Sequence, residues 1–179
     1  MTTRGRGSVR IGPISLFALV IIICLAVMAV LALATAHAGL ARSERQADSV
    51  SALYANERAG QELVARVDAL LARAREDGLD RDGATDLLAD ALPGLADAAA
   101  SAAAAADEDA EADLLPQVDA ASVDPADATA TVRFATASGR LLDIELTVTA
   151  DLTCETSSWK ATTLWTEDTS DTVWSGPSA

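Results

Sequence analysis

TATVRFATASGRLLDIELTVTADL, residues 129–152, is the stretch that decides the fold class. Ala130, Val132 and Phe134 alternate with Thr129, Thr131 and Arg133. After a Ser138-Gly139-Arg140 turn, Leu142, Ile144, Leu146, Val148 and Leu152 alternate with Asp143, Glu145, Thr147, Thr149 and Asp151. Successive side chains of a strand point to opposite faces, so a period of two predicts an antiparallel hairpin with one buried and one wet face. A third strand over 158–166 puts Trp159, Ala161, Thr163 and Trp165 on one side, and Val173 and Trp174 suggest a short fourth piece. A sheet with a single apolar face needs cover, and the residues upstream supply helices for it.

Between Gly39 and Glu76 there is no proline, and Val50, Leu53, Tyr54, Gly60, Leu63, Val64, Val67, Leu70, Leu71 and Ala74 recur at helical spacing. The stripe breaks at Asn56-Glu57-Arg58, which rules out a sustained coiled coil. Glu62 and Arg66 form a favourable i,i+4 pair, Arg73 and Arg75 suit the last turn, and Asp77-Gly78 supplies the stop. A short second helix is expected over 84–92, capped by Asp82 and halted by Pro93-Gly94. Residues 98–113 read as a fraying helix passing into an acidic linker, because Asp107, Glu108, Asp109, Glu111 and Asp113 crowd a helix C-terminus that disfavours negative charge.

Upstream of all this lies ISLFALVIIICLAVMAVLALATA, residues 14–36, which are 23 residues without a charge. As a helix it spans about 34 Å, enough for a hydrocarbon core of about 30 Å. Arg4, Arg6 and Arg10 precede it, so the positive-inside rule predicts a cytoplasmic N-terminus and an exported remainder. Ala36-His37-Ala38 has the form of a signal-peptidase site, and cleavage before Gly39 is the competing reading. The apolar run exceeds the roughly 7–15 residues of a signal core, which favours retention as an anchor.

The net charge is −14, and removing the +3 of Arg4, Arg6 and Arg10 leaves −17 on the rest of the chain. Such a surface repels phosphate backbones, so nucleic acid is not an expected partner. Aromatic residues make up 3% of the chain, which predicts a thin core. The two cysteines do not pair, since Cys24 lies inside the apolar run and Cys154 far outside it.

No motif carries chemistry. Asp77-Gly78-Leu79-Asp80-Arg81-Asp82-Gly83 has the look of a calcium loop, but aligning its glycine puts Gly78 and Ala89 where oxygen ligands are needed. One histidine and two separated cysteines cannot close a zinc site, and His37 at the end of the apolar run has no nucleophile to serve. No catalytic residue, metal or cofactor is assigned, and an enzyme is not expected. Trp159, Trp165 and Trp174 cluster near the chain end; they read as the core of the sheet, with partner binding, above all by Trp174, as the functional alternative.

A basic leader, a long apolar helix running on into an amphipathic one, and a C-terminal antiparallel sheet resemble the layout of type IV pilins and pseudopilins. Those chains are cut after a glycine and carry a glutamate five residues into the mature protein; here Pro13 follows Gly12, and Phe17 occupies the glutamate's place. Twelve arginines against the single Lys160 fit a GC-rich bacterial genome. The expected organisation is a basic tail (1–12), a transmembrane anchor (13–38), a helical region (39–106), an acidic linker (107–128) and a β region of three or four strands (129–179), an α+β fold. The expected function is that of a non-catalytic single-pass protein of the cell membrane. Its partners are the lipid bilayer and proteins of a cell-surface, pilus-like or secretion assembly. The alternative is a secreted or anchored binding module that uses the tryptophan-bearing sheet.

Overall fold

The computed structural model describes residues 13–107 and 110–164. The chain divides into two compact units, Met1–Gln46 and Ala47–Ala179. Its elements, in order, are helix α1 (Pro13–Glu76), helix α2 (Arg81–Ala105), a single 3-10 turn (Ala112–Leu114), and strands β1 (Gln117–Asp124), β2 (Thr129–Ala135), β3 (Arg140–Val148) and β4 (Cys154–Thr163). The class is α+β, with two helices and one antiparallel sheet.

In the first unit α1 is apolar on every side, and Leu16, Phe17, Met28 and Val30 are each 67–69% exposed. This stretch is exposed, and it is long and apolar enough to cross a membrane. By length and composition it is a candidate transmembrane or signal-anchor segment.

In the second unit both helices lie on one face of a four-stranded sheet of order β1-β2-β3-β4. The core joins Ala59, Leu63, Val67, Leu71 and Ala74 of α1 to Leu88, Leu92, Ala96, Ala99 and Ala103 of α2 and to the inner faces of the strands. The hairpin forms as the alternation requires: Ala130 pairs with Leu146, Val132 with Ile144 and Phe134 with Leu142, all buried. From Gly60 to Ala74 the inward stripe of α1 is the expected one, but before Gly60 it is shifted. Ala52, Asn56 and Ala59 face the core, whereas Val50 and Tyr54 are 43% and 68% exposed. Small Ala52 and Ala59 let the helix approach the sheet more closely than Val50 or Tyr54 would.

The helices are joined as the Asp77–Gly83 stretch suggests, but the cap is Asp80 and not Asp82. Gly78 takes a left-handed φ of 69°, Leu79 N donates to Ala74 O at 3.0 Å, and Gly78 N donates to Arg75 O at 3.1 Å. This pair of bonds satisfies the last carbonyls of α1. Asp80 Oδ1 then accepts from Gly83 N at 2.9 Å and opens α2. The second helix does not stop at Pro93-Gly94 but continues to Ala105. Both residues are on the exposed face, and the run of alanines beyond sustains the helix.

The expected linker over 107–128 contains a strand. β1 pairs with β2 from Gln117↔Ala135 to Asp124↔Thr129, with a bulge at Asp119. The bulge puts Val118 and Ala121 on the same face at an odd spacing, which hides the strand from a search for alternation. The third expected strand likewise starts earlier, at Cys154, because a bulge at Ser157 sets Thr156 and Trp159 on one face. The expected piece at Val173 and Trp174 lies outside the described residues.

Candidate functional site

Of the three tryptophans singled out in the sequence, Trp159 lies within the described residues; Trp165 and Trp174 lie outside them. Trp159 stands on β4 opposite Ile144 and is half-buried against the core. Its Nε1 donates to both carboxylate oxygens of Glu57, at 3.1 and 3.0 Å. Its ring lies on Gly60, where an added Cβ would come within 2.6 Å of Trp159 Cη2 and 2.7 Å of Ile144 Cδ1. Glycine is required at that point of α1 because a side chain would occupy the space of the indole. In this placement both the ring and the N–H of Trp159 are engaged within the chain.

The break Asn56-Glu57-Arg58 thus has a structural use. Besides Glu57, Asn56 is buried and donates from Nδ2 to Arg140 O at 3.1 Å. Arg140 in turn donates to Ser49 Oγ and, at 2.6 Å, to Thr163 Oγ1. Polar residues in the middle of an apolar stripe therefore latch α1 onto the start of β3 and the end of β4. This latch fixes the register of helix on sheet, a directional task that apolar contact does not perform.

The outer face of the sheet is polar. Arg133 Nε meets Asp143 Oδ1 at 2.6 Å, with Asp119 Oδ2 at 3.9 Å from its other nitrogen. The hydrogen bond that Arg133 donates to Asp143, and the charge of that carboxylate, hold the guanidinium above its ordinary pKa. Thr147 and Ser157 join their hydroxyls at 2.6 Å across β3 and β4. β1 and β4 are the two edges of the sheet, and each carries a bulge, a common defence against edge-to-edge pairing.

Among the described residues, a cleft of about 170 Å³ lies where Ser51, Tyr54 and Arg58 of α1 meet Ala103 and Leu114. A more open one of about 560 Å³ lies where Asp97 and Ser101 of α2 meet Leu115, Pro116 and Val118. Among the described residues no group of three histidine, cysteine or acidic side chains is placed to hold a metal. The helical layer carries a different feature, an outward ridge of arginines on α1 beside an outward ridge of aspartates on α2. The net charge of −14 hides this local segregation of sign.

Cys154 is free and half-buried. Burial pushes its thiol up to about 11, and the Asp68 carboxylate adds to the shift. In a Cys24→Ser chain at pH 8, Cys154 is expected to react with iodoacetamide about a hundredfold more slowly than in the urea-unfolded chain, since only the thiolate attacks. The folded pKa is the higher one. The associated stability is therefore intact below the unfolded value of about 9 and is lost as pH rises toward about 11. Equal alkylation rates in the folded and unfolded chain would contradict the burial of this thiol.

Compared with family models, with characterised proteins and with solved structures, the chain matches none. Its function is therefore argued from its own geometry.

Proposed function

We propose that the chain is a non-catalytic, single-pass membrane protein with a cytoplasmic N-terminus and an acidic extracytoplasmic domain, serving as an accessory subunit of a bacterial cell-surface, pilus-like or secretion assembly. One observation supports this reading above the others. A single helix, α1, carries both the uncharged run over 14–36 and the stripe Ala59, Leu63, Val67 and Leu71 on which the sheet packs. A helix used twice in this way makes the anchor part of the fold, as suits a subunit that works at the membrane. The engaged state of Trp159 favours this reading over the binding module, whose ligand would need that ring.

The reading is tested by crosslinking intact host cells and purifying the full chain from the membrane fraction. Reproducible crosslinks to a defined set of envelope proteins are expected; a lone monomer without neighbours would overturn the proposal. Topology has its own test. With alkaline phosphatase fused to the C-terminus, the wild-type chain is expected to be active. The triple change Arg4→Glu, Arg6→Glu and Arg10→Glu should lower that activity several-fold by removing the positive charge that holds the N-terminus inside.

A further inference from the structure

The helical layer of the second unit turns its outer surface away from the sheet. At about 3.6 residues per turn, Arg58, Arg66 and Arg73 fall on one side of α1, with Glu62 and exposed Ala65 and Ala69 among them. Asp86, Asp90 and Asp97 fall on the exposed side of α2, with Gly94 among them. Arg66 and Arg73 also line, with Ala69, Leu70 and Leu95, a shallow groove of mixed polarity between the two helices. Arg66 has an i,i+4 contact with Glu62 at 3.5 Å. Among the described residues, Arg58, Arg73 and the three aspartates have no ion-pair partner within 4.0 Å.

The two ridges match in height. α1 ends at Glu76 and α2 begins at Arg81, so heights are counted from the connecting turn at about 1.5 Å per residue. Arg73 and Asp86 then stand at about 5 and 8 Å, Arg66 and Asp90 at about 15 and 14 Å, and Arg58 and Asp97 at about 27 and 24 Å. A twofold axis parallel to α1 leaves every residue at its height and, for two copies face to face, sets α1 of one opposite α2 of the other. Each arginine then meets an aspartate of the second copy, and each aspartate an arginine, with both copies' α1 running in the same direction. Small residues at Ala65, Ala69 and Gly94 permit close approach of the helices.

We propose that this outer helical face is a self-association surface whose occupant is a second copy of this chain, α1 of each against α2 of the other. The inference rests on the reading of the chain as an assembly subunit and names one of its contacts. Charge complementarity specifies the partner: on a chain that carries −14 as a whole, this face sets three arginines, with Glu62 beside Arg66, against three aspartates. Like-charged alternatives, arginine ridge on arginine ridge or acid on acid, are disfavoured by the same arrangement.

The test uses energy transfer between two fluorescently tagged full-length copies in vesicles of phosphatidylcholine and phosphatidylglycerol. One variant carries Arg66→Glu and Arg73→Glu, the other Asp86→Arg and Asp90→Arg. Each alone is expected to self-associate at least about tenfold more weakly than wild type, and raised salt should weaken the wild-type pair. Mixing the two variants should restore association to within about threefold of wild type, because both contacts of the mixed pair again join opposite charges. Circular dichroism of each variant separates loss of folding from loss of association. A second probe, Gly94→Trp, stands where an added Cβ meets nothing within 4 Å, so it should keep the fold and block the pairing. Association that survives both charge reversals overturns the surface but leaves the assembly reading standing. Monomers that crosslink in cells to other proteins do the same. Monomers without any neighbour overturn both.

Discussion

Phe134→Ala is expected to destabilise the helix-and-sheet domain by about 3–5 kcal/mol, which for a marginal fold amounts to unfolding it. Phe134 is fully buried, and its neighbours across the sheet are Val118 and Leu142. Facing it from the helices are mostly alanines and leucines, whose short side chains have little scope to close around the void. The cost is therefore the lost transfer energy of the ring plus a cavity that stays largely open. Urea unfolding of the full chain in mild detergent, followed by tryptophan fluorescence, measures it as a fall in midpoint at unchanged slope. Thr131→Ala, on the exposed face of the same strand, should remain within about 0.5 kcal/mol of wild type and serves as the control. A Phe134→Ala chain as stable as wild type would mean that the sheet does not pack through this face.

Gly60→Val is expected to cost about 3 kcal/mol for the opposite reason. The space beside Gly60 is already filled by the indole of Trp159 and the Cδ1 of Ile144, at 2.6 and 2.7 Å from where a Cβ would stand. Relief requires Trp159 to swing out, and swinging out breaks its two contacts with Glu57. The effects of Gly60→Val and Trp159→Ala should thus be strongly non-additive: once the indole is gone, the valine should cost far less. Gly39→Ala, where nothing lies within 4 Å, should be neutral or slightly stabilising in the helix. Additive costs at 60 and 159 would contradict the close contact.

These two sites mark where reading the sequence succeeds and where it fails. The β2–β3 hairpin was legible because its register is unbroken from Thr129 to Ala135 and most inward residues, Val132, Phe134, Leu142, Ile144 and Leu146, are large. β1 was not, because the bulge at Asp119 breaks its alternation and its inward side chains include only Val118, Ala121 and Val123. Pro93 looked like a helix stop because local sequence cannot say which side of a helix faces water. Asn56 and Glu57 looked like a defect in the α1 stripe. Their use appears only when the chain brings Arg140 and Trp159, residues 84 and 102 positions away, against them. The candidate association surface was hidden for a related reason, since it depends on two helices lying side by side. The tryptophan cluster was visible at once, and Trp159 has the core role weighed for it first.

We propose that α1 serves both as the membrane anchor and as the core helix of the folded domain. Its most direct test is to recover the mature chain from carbonate-washed host membranes and determine its N-terminus by mass and end-sequencing. The expected result is a membrane-bound chain that retains residues 14–36 intact, with the domain attached. A chain beginning at Gly39 and recovered from the medium would contradict it, because α1 would then have lost its apolar half and the protein its hold on the membrane.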